Sequence, residues 1–175
     1  GCEYHMYASD ITRTFPVGGK FSKEQLDIYN IVLKANLAAI DAVKTGTSIM
    51  EPQIISEKVI TEGLVELGIL SGDVDTLHKE GAFKIFYMHK IGHWLGMDVH
   101  DVGDYMEEGD YIKFKPGMVT TIEPGIYISS SMDVDDKWKG IGIRIEDDIL
   151  VTESGNLNLT AKVPSNPQEI EALMA

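Results

Sequence analysis

Ile141-Gly142-Ile143-Arg144-Ile145-Glu146-Asp147-Asp148-Ile149-Leu150-Val151 is the stretch that decides the fold class. Isoleucine alternates with glycine or a charged residue through its first half, the period of a strand with one buried face. Arg144 and Glu146 are two positions apart and share a face. Two more strand-like runs precede it, Met118 to Ile122 and Gly125 to Ile128, on either side of Glu123-Pro124. The first half of the chain reads differently. Ser22 followed by Gln25 is a capping-box pattern opening a helix. Its apolar stripe is Leu26, Tyr29, Val32 or Leu33, Leu37, Ile40 and Val43, ended by Thr45-Gly46-Thr47. A second helix runs from Pro52 to Leu67 with Gly68 as its stop and Ile55, Val59, Leu64 or Val65, and Leu67 as its core face. A short helix over Glu169–Met174 follows Pro167. Helices early and strands late predict an α+β domain rather than repeated βαβ units.

At the start, Cys2 to Phe15 is rich in aromatic and β-branched residues and reads as a strand-like stretch. Pro16 to Lys20 is a turn, with Gly18-Gly19 as breakers. The chain opens on Gly1 directly in the strand-like stretch, which suggests a fragment of a longer protein. The 175 residues are long enough to bury a real core. With 15 Lys+Arg against 28 Asp+Glu, the net charge of −13 argues against a phosphate-backbone binder. No 18-residue apolar run is present, so no membrane-spanning helix is expected. Cys2 is the single cysteine, so no internal disulfide can form, and a reducing cytoplasm fits.

Acids interrupt apolar strands. Glu123 closes a buried strand ahead of Pro124-Gly125, Glu146 sits in the alternating strand, and Asp10 lies in the first strand-like segment. His89, His93 and His100 fall within twelve residues. Buried carboxylates are costly unless paired or metal-bound, so acids and a histidine converging in one core suggest a divalent-metal site. Each residue alone has an ordinary reading: Glu123 in solvent, Glu146 paired with Arg144, His93 as a satisfied histidine, Asp10 capping a turn. Gly92 and Gly96 make a zinc-binding helix over His89 and His93 doubtful. Asp133-Val134-Asp135-Asp136 lacks the glycine and final Glu of a calcium loop and reads as a solvated loop. Trp94 and Trp138 read as packing residues.

Four blocks together resemble one family: Tyr7-Ala8-Ser9-Asp10-Ile11-Thr12-Arg13-Thr14-Phe15-Pro16, Met88 to Asp101, Thr121-Ile122-Glu123-Pro124-Gly125-Ile126-Tyr127, and Gly142-Ile143-Arg144-Ile145-Glu146-Asp147. In order and spacing they are similar to the pita-bread metallopeptidases aminopeptidase P and prolidase, and most to bacterial aminopeptidase P. The resemblance implies two divalent metal ions, usually manganese. Asp10 and Glu146 would bridge the metals, and His93 and Glu123 would bind one of them. His100 would hydrogen-bond the scissile carbonyl or the tetrahedral intermediate. His89 would line the pocket for the substrate proline, and Arg144 would orient the site. A hydroxide shared by the metals would attack the amide carbon, with Glu123 passing the proton to the leaving nitrogen. The implied substrate is a peptide with proline in second position, and the full-length protein would be a homo-oligomer.

In the family a further Asp ligand lies in an Asp-x-Gly segment just before the first block, and Gly1 falls at that glycine. The resemblance therefore implies that residues 1–175 are the C-terminal portion of a pita-bread domain, with the second metal site impaired and weak or no activity alone. Prolidase is the enzymatic alternative. A non-catalytic peptide-binding relative, or a metal-free creatinase-like hydrolase, is disfavoured because Asp10, His93, Glu123 and Glu146 are all present.

Overall fold

The computed structural model describes residues 1–175. In chain order the elements are β1 (Glu3–Tyr4), β2 (Tyr7–Ala8), α1 (Lys23–Ala42), α2 (Glu51–Glu66), α3 (Val74–Glu80), β3 (Met106–Glu107), β4 (Asp110–Tyr111), β5 (Val119–Ile122), β6 (Gly125–Tyr127), β7 (Gly142–Arg144), β8 (Asp147–Thr152), β9 (Gly155–Asn158) and α4 (Pro167–Leu173). The order is α+β, helices first. No helix is long and apolar enough to cross a membrane.

The expected capping box opens α1: Ser22 Oγ accepts from Gln25 N–H at 3.2 Å, and Gln25 Oε1 accepts from Ser22 N–H at 2.9 Å. Pro52 sits in the first turn of α2, and Gly68 follows its end at φ 71°, a conformation open to glycine. The faces of both helices differ from the expected stripes. On α1, Leu37 is exposed, while Ile28, Tyr29, Val32, Ala35, Asn36 and Ala39 are buried. On α2, Ile55, Val59 and Leu67 are only partly buried, while Gln53, Ser56, Ile60, Thr61 and Leu64 are enclosed. The two helices pack closely together, and α1 also lies against β5, β6, β7 and β9. Gly63 allows the close approach of α2 to α1, since a Cβ there would lie 2.6 Å from the Ile31 side chain.

The strand stretch over Ile141–Val151 is two strands, not one. β7 pairs with β6, β8 lies between β5 and β9, and the break falls at Ile145-Glu146. There Glu146 makes an isolated antiparallel bridge with Thr12. Residues 91–95 run antiparallel to β5, through Glu123 N–H to Ile91 O (2.7 Å), Thr121 N–H to His93 O (3.0 Å) and Leu95 N–H to Val119 O (3.2 Å). No helix forms over His89–His93. The strand-like opening is also broken: β1 and β2 form a hairpin, turning at His5 and Met6 with φ 50° and 69°. Trp94 and Trp138 are buried in the main core. The acids of the 133–136 loop are exposed, and Asp135 caps a short 3-10 turn over Asp136–Trp138.

Candidate metal centre

Three segments build the site. The Ser9–Thr14 segment brings Asp10, the 89–100 segment brings three histidines, and the ends of β5 and β7 bring Glu123, Arg144 and Glu146. Asp10, His93 and His100 offer ligand atoms within 4.8 Å of one another, and so do His93, Glu123 and Glu146. His93 belongs to both groups. Its Nε2 lies 3.5 Å from Asp10 Oδ2 and 3.7 Å from Glu123 Oε1. His89 belongs to neither group; it lines the adjoining cavity with His93, His100, Glu123 and Arg144. That cavity has a volume of about 660 Å³.

The tautomer of His93 follows from its other nitrogen. Nδ1 is 3.0 Å from the Trp94 carbonyl, which can only accept, so Nδ1 carries the proton. In the neutral ring the Nε2 lone pair then faces two carboxylates. Glu146 is buried and Glu123 keeps only 13% of its side-chain surface, which rules out acids standing in solvent. The compensation is thin. Arg144 Nη1 approaches Glu123 Oε2 at 3.5 Å, and Thr12 Oγ1 donates to Glu146 Oε2. Arg144 thus pairs with Glu123, brought to it by the β6–β7 register, rather than with its sequence neighbour Glu146.

Burial, then the nearby Glu146, pushes the Glu123 carboxyl up to about 7, against the pull of Arg144 and His93. Burial also raises Glu146, and Asp10 adds to that. Asp148 is pushed up to about 6, chiefly by burial, and its buried Oδ1 has no hydrogen-bond partner. Carboxylates converging on His93, with one partly exposed guanidinium to offset them, fit a divalent cation. Carboxylate oxygens joined by the imidazoles of His93 and His100 suit a divalent ion that accepts oxygen and nitrogen donors.

Beside the acids runs a directed hydrogen-bond chain. His89 Nδ1 is 2.8 Å from Lys90 O and so donates, leaving Nε2 to accept from the Tyr127 hydroxyl at 2.8 Å. The Tyr127 oxygen accepts from Arg144 Nε at 2.7 Å. The exposed His100 stands edge-on to His93, ring centroids 4.2 Å apart. Several participants lie outside the predicted set: Tyr127, Thr12, Asp148 and Asn36. Asn36 is buried on α1, and its amide donates to the carbonyls of Ile122 (3.1 Å) and Ile145 (3.4 Å), the residues just before Glu123 and Glu146. Its signal in the sequence is a polar residue four positions after Val32, on the face that α1 buries.

The family model for metallopeptidase family M24 matches residues 1–153. The chain is 56% identical to the Xaa-Pro aminopeptidase of Haemophilus influenzae over 174 residues, covering 99% of this chain and 40% of that protein. Among solved structures it is similar to Pseudomonas aeruginosa aminopeptidase PepP, at TM-score 0.98 and 55% identity, covering 99% of this chain and 40% of that one. It is also similar to zinc-substituted Escherichia coli aminopeptidase P in complex with product, at TM-score 0.95 and 53% identity, covering 99% and 39%. The chain thus spans about two fifths of these relatives' length, and over that span it has their pita-bread fold.

Proposed function

The chain belongs to metallopeptidase family M24, and on that premise we propose that it carries the metal centre of an Xaa-Pro aminopeptidase. The reaction is release of the N-terminal residue from peptides with proline in second position. The observation that carries this reading is the acceptor cluster around His93 Nε2, with Asp10 at 3.5 Å, Glu123 at 3.7 Å and Glu146 in the same group. The names of its relatives favour this activity over the prolidase alternative.

Asp10, His93, Glu123 and Glu146 would hold the divalent metal, and manganese would suit these donors. Bound ions would supply Lewis acidity, lowering the pKa of water and polarising the scissile carbonyl. The chain's own groups do the rest. His100, at the mouth of the cavity, is placed to donate to the scissile carbonyl oxygen as charge develops there. Glu123 takes a proton from the nucleophile and returns it to the leaving imide nitrogen, which has no N–H of its own. His89, held by Tyr127, forms one wall of the proline pocket. Arg144 orients Glu123 and anchors the Tyr127 hydroxyl. The single cysteine fits work in a reducing cytoplasm.

The test is a Mn²⁺ titration of the intact protein, paired with assays on Xaa-Pro peptides. Tight Mn²⁺ binding that Glu146→Gln and His93→Ala both weaken at least tenfold, with cleavage before proline, supports the reading. No Mn²⁺ binding, or binding indifferent to both substitutions, overturns it.

A further inference from the structure

Arg13 spends all five of its N–H donors without touching the cavity. Nε donates to Pro164 O at 3.0 Å. Nη1 donates to Thr12 O at 2.9 Å and Glu146 O at 2.7 Å. Nη2 donates to Asp147 Oδ1 at 2.8 Å and Val163 O at 2.9 Å. The side chain is 11% exposed and that of Asp147 only 4%. Asp147 Oδ1 is held in turn by Thr160 Oγ1 at 2.6 Å. A buried ion pair is weak evidence of stabilisation in itself. The remaining four bonds are more telling, because they reach carbonyls on three segments far apart in sequence.

Two of those carbonyls belong to Thr12 and Glu146, the partners of the isolated bridge. Around that bridge the segment carrying Asp10 meets the break between β7 and β8 that carries Glu146. Glu146 N–H donates to Thr12 O at 3.0 Å, Thr14 Oγ1 donates to Arg144 O at 2.9 Å, and Asp10 N–H donates to Asp148 Oδ2 at 3.3 Å. We propose that Arg13 is a positioning residue of the metal centre: its planar fork fixes the Thr12 and Glu146 backbones against each other and so sets the spacing of the Asp10 and Glu146 carboxylates. The inference rests on the proposed function, which makes those two carboxylates ligands. The fork shape is essential. A lysine places three donors on one atom and cannot span carbonyls on both sides of a bridge while holding Asp147.

The test uses the intact protein and Mn²⁺ alone as probe, with R13K, R13M and D147N compared with wild type. V32A, a core truncation at a residue that lines neither the cavity nor the ligand groups, controls for lost stability. Affinity is measured at fixed pH, well below each melting midpoint. The expected result is Mn²⁺ binding weakened about 10- to 100-fold in R13M and R13K. D147N should lose less, since the carbonyl contacts survive, and V32A should lower the Tm while keeping affinity within about twofold of wild type. R13K binding Mn²⁺ like wild type overturns the proposal, as does a V32A loss matching that of R13M. Should R13M not fold, R13K and D147N decide. A second readout needs no metal: hydrogen exchange at the Glu146 amide, which should quicken at least tenfold in R13K. If wild type binds no Mn²⁺, the proposed function fails, and this exchange rate still decides the clamp, since an unchanged rate overturns it.

Discussion

The Tyr127 hydroxyl stands 2.8 Å from His89 Nε2 and is its only hydrogen-bonding neighbour, so the ring in the cavity is held by a phenol. The same oxygen takes Arg144 Nε at 2.7 Å, which makes proton donation run one way: Arg144 to Tyr127 to His89 to the Lys90 carbonyl. Burial, with Arg144 nearby, lowers the basicity of His89 against the opposing hydrogen bond to the Lys90 carbonyl. With both nitrogens engaged, the ring turns its carbon faces to the cavity, as the proposed proline pocket would require.

Tyr127→Phe keeps the ring and deletes that oxygen. Arg144 Nε and His89 Nε2 each lose a partner in a half-buried setting, at a cost of about 1–3 kcal/mol. The expected outcome is a fall of about 10- to 100-fold in kcat/KM on Xaa-Pro peptides, with little change in Mn²⁺ affinity. Steady-state kinetics alongside a metal titration would check it; unchanged kcat/KM would show that the hydroxyl does not organise the cavity.

Metal binding should be steeply pH-dependent. The carboxylates proposed as ligands must be ionised to bind, and in the metal-free protein Glu123 is pushed up to about 7 and Glu146 is raised as well. Apparent Mn²⁺ affinity should therefore hold above pH 7 and fall below it, by about tenfold per pH unit for each proton displaced. Glu123→Gln should weaken binding and flatten this dependence. Calorimetry in buffers of different ionisation heat would count the protons, and a count of zero would sink the idea.

Much of this was legible because the signals were local. Ser22 and Gln25 cap α1 within one turn, and Pro52 and Gly68 bracket α2. Asp10, Glu123 and Glu146 stood out as acids interrupting apolar strands, His93 stood out through the family resemblance, and the fold brings all four to one place. What escaped depends on distant partners. Asn36 is buried because it meets carbonyls from β5 and from the break before β8, not because of its neighbours on the helix. Arg144 reaches Glu123 because Gly125 and Arg144 are paired across β6 and β7, a register that no spacing reveals. The turn at His5-Met6 uses two non-glycine residues at positive φ, so no turn signal marks it. By contrast α3 did carry local signals, the Asp73 cap and Gly81 at its end, in a stretch too short for a clear period.

The metal-free protein should gain stability on mild acidification. Glu123 and Asp148 have folded values of about 7 and about 6, above the ordinary carboxylate values of 4.5 and 3.8. The folded state therefore holds more protons than the unfolded chain in this window, and stability falls as pH rises through it. The full benefit is present below the unfolded values and is lost as pH climbs past 7. The two groups together are worth on the order of a few kcal/mol, so the Tm of the chelated protein should rise by several degrees between pH 8 and pH 6. Saturating Mn²⁺ should reverse the trend, because it binds the ionised form. Melting curves with and without chelator would show it; parallel pH profiles would refute it.

Gly92 provides the sharpest packing test. A Cβ there would lie 1.9 Å from the Thr121 carbonyl oxygen and 3.0 Å from Thr121 Oγ1. The carbonyl is backbone of β5, and the same Thr121 binds the neighbouring segment through Thr121 N–H to His93 O and His93 N–H to Thr121 Oγ1. Gly92→Ala must therefore push the His93 segment off β5 and carry its imidazole away from Glu123. The cost should reach about 3 kcal/mol, and Mn²⁺ affinity should fall with it, since the His93 segment and the end of β5 each carry a proposed ligand. Gly18→Ala is the control: nothing lies within 4 Å of its Cβ, so stability should stay within about 0.5 kcal/mol and metal affinity should not move. Thermal melts and Mn²⁺ titrations on the pair separate the two cases. A Gly92→Ala protein that binds Mn²⁺ as wild type does would mean that the histidine segment can shift along β5 without disturbing the ligands.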